Sequence, residues 1–449
     1  MVAELDHLRL LYFGVLDTSL VLNRSQVAGE FRVFQDRLHS RLCSAEGGRY
    51  HTEWKDRTSG ELQRRERVFE RLRAGLGWNL SLIRFDWDSS LDLGRITTEG
   101  PVGEARMDSM WISFHEYGIG VVTGLVEVDL EAPITVDNAG VVLEDLTDAI
   151  TCSRPLAGRI NERDEQVGAE AGEVIAELGL PDPLLCYEDT AAVGVEERLL
   201  WGHSMVVLDC EPEEIMDREA YGRLADRLVA VGHRQGLINM WPSEAGFVHV
   251  GWGRSLAAGL GAEDLGRLQE VMRRLQFDWR AMDILNQLLC RQLDQHAAHR
   301  HPDEGRIREQ MDWMERLDTE IKLYKAHRAE CLHGLDPSPY AIYRETMDVW
   351  RMEEQVADCQ EKVQALEALH SYGAKAIDSL REKRLNAVLG LIAVLTVVSV
   401  VVDAVGFIWP DFTARIPTPW RVLLLVGVPV LFLLLLVPYV LRAVKRKHD

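Results

Sequence analysis

Two long apolar runs near the C-terminus constrain this chain more than any other feature. The first is Leu385–Trp409 and the second is Trp420–Leu441, separated by a short stretch with three prolines at 410, 417 and 419. Crossing about 30 Å of hydrocarbon as a helix takes about 20 residues, and each run is long enough. A soluble helix is normally apolar on one stripe only, so uniform apolarity over such a length predicts two transmembrane spans.

Charge predicts their orientation. Arg381, Lys383 and Arg384 precede the first run, and Arg442, Lys445, Arg446 and Lys447 follow the second. Only Arg415 and Arg421 lie on the loop side. The basic excess predicts both ends of the hairpin in the cytoplasm, with residues 442–449 as a basic cytoplasmic tail. Trp409 and Trp420 fit an outer aromatic belt, and Tyr439 an inner one. The expected location is the inner (plasma) membrane, multi-pass.

The rest of the 449-residue chain is long enough for real hydrophobic cores. Its make-up, 47% hydrophobic and 27% charged, is that of a folded protein. A formal net charge of −21 argues against nucleic acid as a partner and suits either the attraction of cations or solubility alone. The N-terminal stretch has no basic n-region and carries Glu4 and Asp6, unlike a secretory signal. Seven cysteines, at 43, 152, 186, 210, 290, 331 and 359, form no CxxC pair. That pattern fits a reducing compartment and offers neither a disulfide framework nor a zinc site.

Residues 1–255 alternate between strand-like and helix-like stretches and predict a mixed α/β cytoplasmic domain, as one body or two sub-domains. Strands are expected at Leu8–Val15, Asn79–Phe85, Ser109–Phe114, Ile119–Asp129, Leu199–Leu208 and Gly246–Trp252. Helices are expected at Asn23–Leu42, Glu61–Leu76, Ala169–Leu178 and Arg218–His233, the last capped by Asp217. Gly158–Gly172 is polar and glycine-containing and reads as a loop between sub-domains.

Residues 262–384 read as a helical stalk. Ala262–Arg300 is one helical pattern ended by His301-Pro302, and Asp303–Leu332 is a second. After the turn at Gly334–Pro339, the pattern meets no proline until Pro410, which predicts one helix from Pro339 to Ile408 running into the first span. Val356, Cys359, Val363, Leu366, His370, Gly373, Ile377 and Leu380 give it a seam for a partner helix.

Inside residues 385–409, Thr396, Ser399 and Asp403 fall at i, i+3 and i+7 on the stripe of Leu389 and Ile392. An aspartate facing lipid is costly, so this stripe should face protein or water. It suits either a cation path between copies or a hydrogen-bonded helix contact. Hydroxyl and carboxylate oxygens are the ligands of hard cations, which makes Asp403 the candidate metal ligand.

Other sets are weaker. His296, His299 and His301 offer a metal pair or simply favour a helix C-terminus. Glu211, Glu213, Glu214 and Asp217 offer a divalent-ion site or a solvated loop. Gly251-Trp252-Gly253 lacks the last glycine of a dinucleotide fingerprint, because Leu256 stands there, and reads as a turn. No P-loop, nucleophile elbow or HExxH occurs, so no enzyme activity is expected.

The layout of cytoplasmic α/β domain, long stalk, first span, short loop, second span and basic tail resembles the CorA-type magnesium channel family over residues 262–449. In that family the first span ends in Gly-Met-Asn and five copies of it form the pore. Here Gly406 matches, while Phe407 and Ile408 stand in place of the Met and Asn. The resemblance implies a homopentamer in a lipid bilayer with Thr396, Ser399, Asp403 and Gly406 lining a pore and Asp411 in the outer loop. It implies a channel or transporter for divalent cations such as Mg2+, gated by the cytoplasmic domain, with no resident cofactor. Diverged CorA-like proteins also act as effectors in prokaryotic antiviral or stress signalling. The alternative expectation is therefore a membrane effector that binds a small nucleotide-type signal in its cytoplasmic part.

Overall fold

The computed structural model describes residues 4–27, 30–52, 82–96, 103–135, 139–184, 199–209, 236–238, 246–298, 304–333 and 337–408. The chain forms two compact units, residues 1–301 with 309–366, and residues 302–308 with 367–449.

The first unit is built on one ten-stranded sheet. Its strands are β1 (Glu4–Asp17), β2 (Gly48–His51), β3 (Ile83–Trp87), β4 (Leu91–Ile96), β5 (Gly103–His115), β6 (Ile119–Thr135), β7 (Leu199–Leu208), β8 (Gly236–Ile238), β9 (Phe247–Val250) and β10 (Arg254–Ala258). Their order is β2-β3-β5-β6-β1-β7-β10-β9-β8, with β4 also paired to β5. All pairings are antiparallel except β7 with β10.

The sequence of β1 explains its central place. Leu8, Leu10 and Tyr12 point into one core and Leu11, Phe13 and Val15 into cores on the other face. A strand covered on both faces reads as a continuous apolar run, which LRLLYFGVL is. On the first face lie α1 (Arg24–Val27), α2 (Phe31–Leu42), α3 (Ala139–Thr151) and α4 (Arg154–Leu178), contributing Val27, Leu38, Leu146 and Ile160 among others. On the other lie α5 (Ala262–Ala298), α6 (Glu304–His333), α7 (Pro337–Val349) and the start of α8 (Met352–Ile408). The unit is thus a three-layer α/β/α sandwich.

Several expectations need correction. Gly158–Gly172 is no loop but the middle of α4. Leu156, Ile160, Val167, Ala171 and Val174 keep one face buried while the polar residues between them stay outside. Gly179, at φ 61°, closes this helix, and Leu180 N–H reaches Ile175 O at 3.1 Å. Asn23–Leu42 is two helices rather than one. The helix expected from Pro339 to Ile408 breaks at Trp350–Arg351, between α7 and α8. The seam on α8 is occupied as far as Leu366 within its own chain, where Cys359 and Leu366 pack with Leu285 and Leu317. The expected helices Glu61–Leu76 and Arg218–His233 lie outside the described residues.

The transmembrane expectation is also corrected. Among the described residues, no helix is long and apolar enough to cross a membrane. The run at 385–408 is not a separate span but the end of α8, whose earlier part is charged, from Glu353 and Glu354 to Arg381, Lys383 and Arg384. The two-helix hairpin of the CorA-like fold, the membrane and transmembrane description and the multi-pass inner-membrane location are therefore not carried forward. The second run at 420–441 lies outside the described residues.

Candidate functional site

The face expected to carry chemistry is on α8. An unbroken helix over Met352–Ile408 places Thr396, Ser399 and Asp403 on one stripe, and all three are exposed. Thr396 Oγ1 donates to Ile392 O at 2.8 Å, which fixes the hydroxyl and leaves its lone pairs available as acceptors. Gly406 lies in the same helix, and Asp411 is outside the described residues. One chain offers one carboxylate and two hydroxyls here, fewer oxygens than the six or more, roughly, that a hard divalent cation takes. Among the described residues of a single chain, no group of three or more His, Cys, Asp or Glu side chains is arranged to hold a metal ion.

Outside this stripe the same stretch is apolar. Leu385, Val388, Leu389, Ile392, Val394, Val397 and Val400 are exposed, Val397 by 62%. So many large apolar groups on one helix mark an interaction surface.

In the first unit, the start of α8 is held firmly. Trp350 is 4% exposed, and its indole N–H donates to Gly251 O at 3.0 Å. Arg351 takes φ 50°, a left-handed conformation uncommon for a residue with a Cβ. Arg328 on α6 donates to Glu353 Oε1 at 2.8 Å, just past the break. Deeper in, Asp278 on α5 has no exposed side-chain surface. It accepts from Arg274 Nε at 2.9 Å, Tyr324 Oη at 3.0 Å and Tyr343 Oη at 2.5 Å. Burial, reinforced by Asp278, pushes both tyrosine hydroxyls far above their ordinary range, so they remain donors. One carboxylate thus ties α5, α6 and α7 together, and three donors offset the cost of burying it.

Sequence reasoning missed a buried Ser–His pair. His203 on β7 and Ser255 on β10 lie side by side, with Nε2 and Oγ 3.0 Å apart. A serine beside a histidine is the arrangement of a nucleophile and its base. Here both are 1% exposed, and burial lowers the imidazole to about 3, so it stays neutral. The pair is a sealed hydrogen bond linking the two parallel strands. Their sequence separation of 52 residues gave no signal.

The remaining candidates do not converge. His296 lies on α5, while His299, His301 and the acidic set Glu211, Glu213, Glu214 and Asp217 lie outside the described residues. Gly251-Trp252-Gly253 is the tight turn joining β9 to β10, closed by Gly251 N–H to Arg254 O at 3.0 Å. A strand follows it instead of the helix that a phosphate-binding loop would need.

The chain matches no protein-family model, no curated protein and no solved structure.

Proposed function

We propose that this protein is a homo-oligomer that binds divalent cations between copies of α8, under the control of its α/β unit. The observation that carries this reading is the exposed stripe of Thr396, Ser399 and Asp403 set in the otherwise apolar end of α8. Copies that turn this stripe toward a shared axis bring carboxylates and hydroxyls together. A cation such as Mg2+ then offsets the mutual repulsion of the carboxylates. Exposed apolar side chains flanking the stripe, Val388 and Val400 among them, supply the contact between neighbouring helices.

Control is assigned to the first unit because the start of α8 belongs to it, fixed by Trp350, Arg328 and the break at Arg351. The test is thermal unfolding of the full chain with and without Mg2+. A ligand that binds only the folded form at a hundredfold excess over its Kd stabilises by about 2.7 kcal/mol. The unchanged protein should gain stability with Mg2+, and Asp403→Asn should not. Equal gains in both would remove Asp403 from the function.

A further inference from the structure

Four tryptophans meet where the sheet, α5 and the α7–α8 break come together. Trp201 on β7 packs edge to face on Trp279 of α5, with ring centroids 4.6 Å apart. Trp252 touches Trp279 at 5.7 Å and Trp350 at 6.2 Å, again edge to face. Trp252 sits at the tip of the β9–β10 turn and is 52% exposed. Its neighbours Gly251 and Gly253 carry no side chains to crowd it, and Gly253 holds φ 77°.

Two hydrogen-bond donors on residues of this cluster, or bonded to it, have no acceptor among the described residues. They are Trp279 Nε1 and Gln276 Nε2, both shut off from solvent. Gln276 is 2% exposed, and its amide lies against the cluster because its Oε1 accepts from Trp201 Nε1 at 2.9 Å. Buried donors are normally satisfied, and those that are not call for an explanation. A large aromatic residue left half exposed on a turn is the second irregularity at the same place.

We infer that this cluster is a binding site for a planar heteroaromatic molecule bearing hydrogen-bond acceptors. The indole rings supply flat apolar surface for stacking, as base-binding proteins use it. The two donors select against rings that lack an acceptor, because such a ring leaves them unsatisfied. Trp252 moves aside on its glycine-flanked turn to admit the ring. The occupant lies against Trp350, beside the start of α8. This site is separate from the cation stripe, and neither depends on the other.

The test is calorimetric titration of the full chain with adenosine, a flat ring rich in acceptors, and with indole, a flat ring that has none. Saturable binding of adenosine is expected, weaker by about tenfold or more in Trp252→Ala and in Gln276→Leu. Trp252 is exposed, so its replacement leaves the fold intact, which a circular dichroism spectrum checks. Absence of saturable adenosine binding overturns the inference. Equal affinity in the variants, or equal affinity for indole, does so too. Cation-dependent stabilisation measured in the same samples is unaffected by either outcome.

Discussion

His203 shows how much a single buried side chain contributes in this protein. It is neutral in the folded state, with its pKa lowered to about 3 by burial. In the unfolded chain it titrates near the ordinary histidine value of about 6.5. Below that pH the unfolded state takes up a proton that the folded state refuses. Stability is therefore full above about pH 6.5 and falls as the pH drops toward about 3, by up to about 1.4 kcal/mol per pH unit. His203→Gln should be less stable at neutral pH but show a shallower loss between pH 6 and pH 4, as urea denaturation at each pH would measure. Identical slopes would mean that the imidazole is not held neutral. Neither this residue nor Asp278 stands out in the sequence. Tyr324 and Tyr343 reach Asp278 from 46 and 65 residues away, and no local pattern encodes such a meeting.

At the scale of elements, legibility followed periodicity. Leu199–Leu208 was readable as a strand to the residue, and α5 to within two residues at its end, because both carry long unbroken patterns. The polar middle of α4 reads as a loop because glycines 158 and 172 are loop signals, although its buried face keeps helical spacing throughout. The break between α7 and α8 was invisible, since Val349-Trp350-Arg351-Met352 contains no glycine or proline. At the break Trp350 is anchored to Gly251 O and Arg351 takes φ 50°. A left-handed residue with a Cβ costs roughly 1–2 kcal/mol relative to glycine. Arg351→Gly should therefore raise stability by about 1 kcal/mol. Arg351→Pro should lower it, because proline cannot reach that φ and loses the N–H that donates to Asp348 O at 3.1 Å. Chemical denaturation midpoints of the two variants, moving in opposite directions, check the assignment of strain to this joint.

At the scale of the molecule, two expectations from the sequence meet different outcomes. That an α/β domain occupies the N-terminal part was readable from alternating strand and helix patterns, and the sheet flanked by helices on both faces bears this out. That the apolar runs form a membrane hairpin is corrected, because among the described residues no helix is long and apolar enough to cross a membrane. What persists is a long helix with exposed apolar side chains and one polar stripe. Hydropathy alone does not specify what covers such a surface, and the account assigns that role to further copies of the same helix.

The most direct test is disulfide cross-linking of Asp403→Cys under mild oxidation, with the unchanged chain, which already holds seven cysteines, as control. The account predicts a covalent dimer through position 403 in the variant only, since the stripes of neighbouring copies face each other. A variant that stays monomeric under oxidation would contradict it.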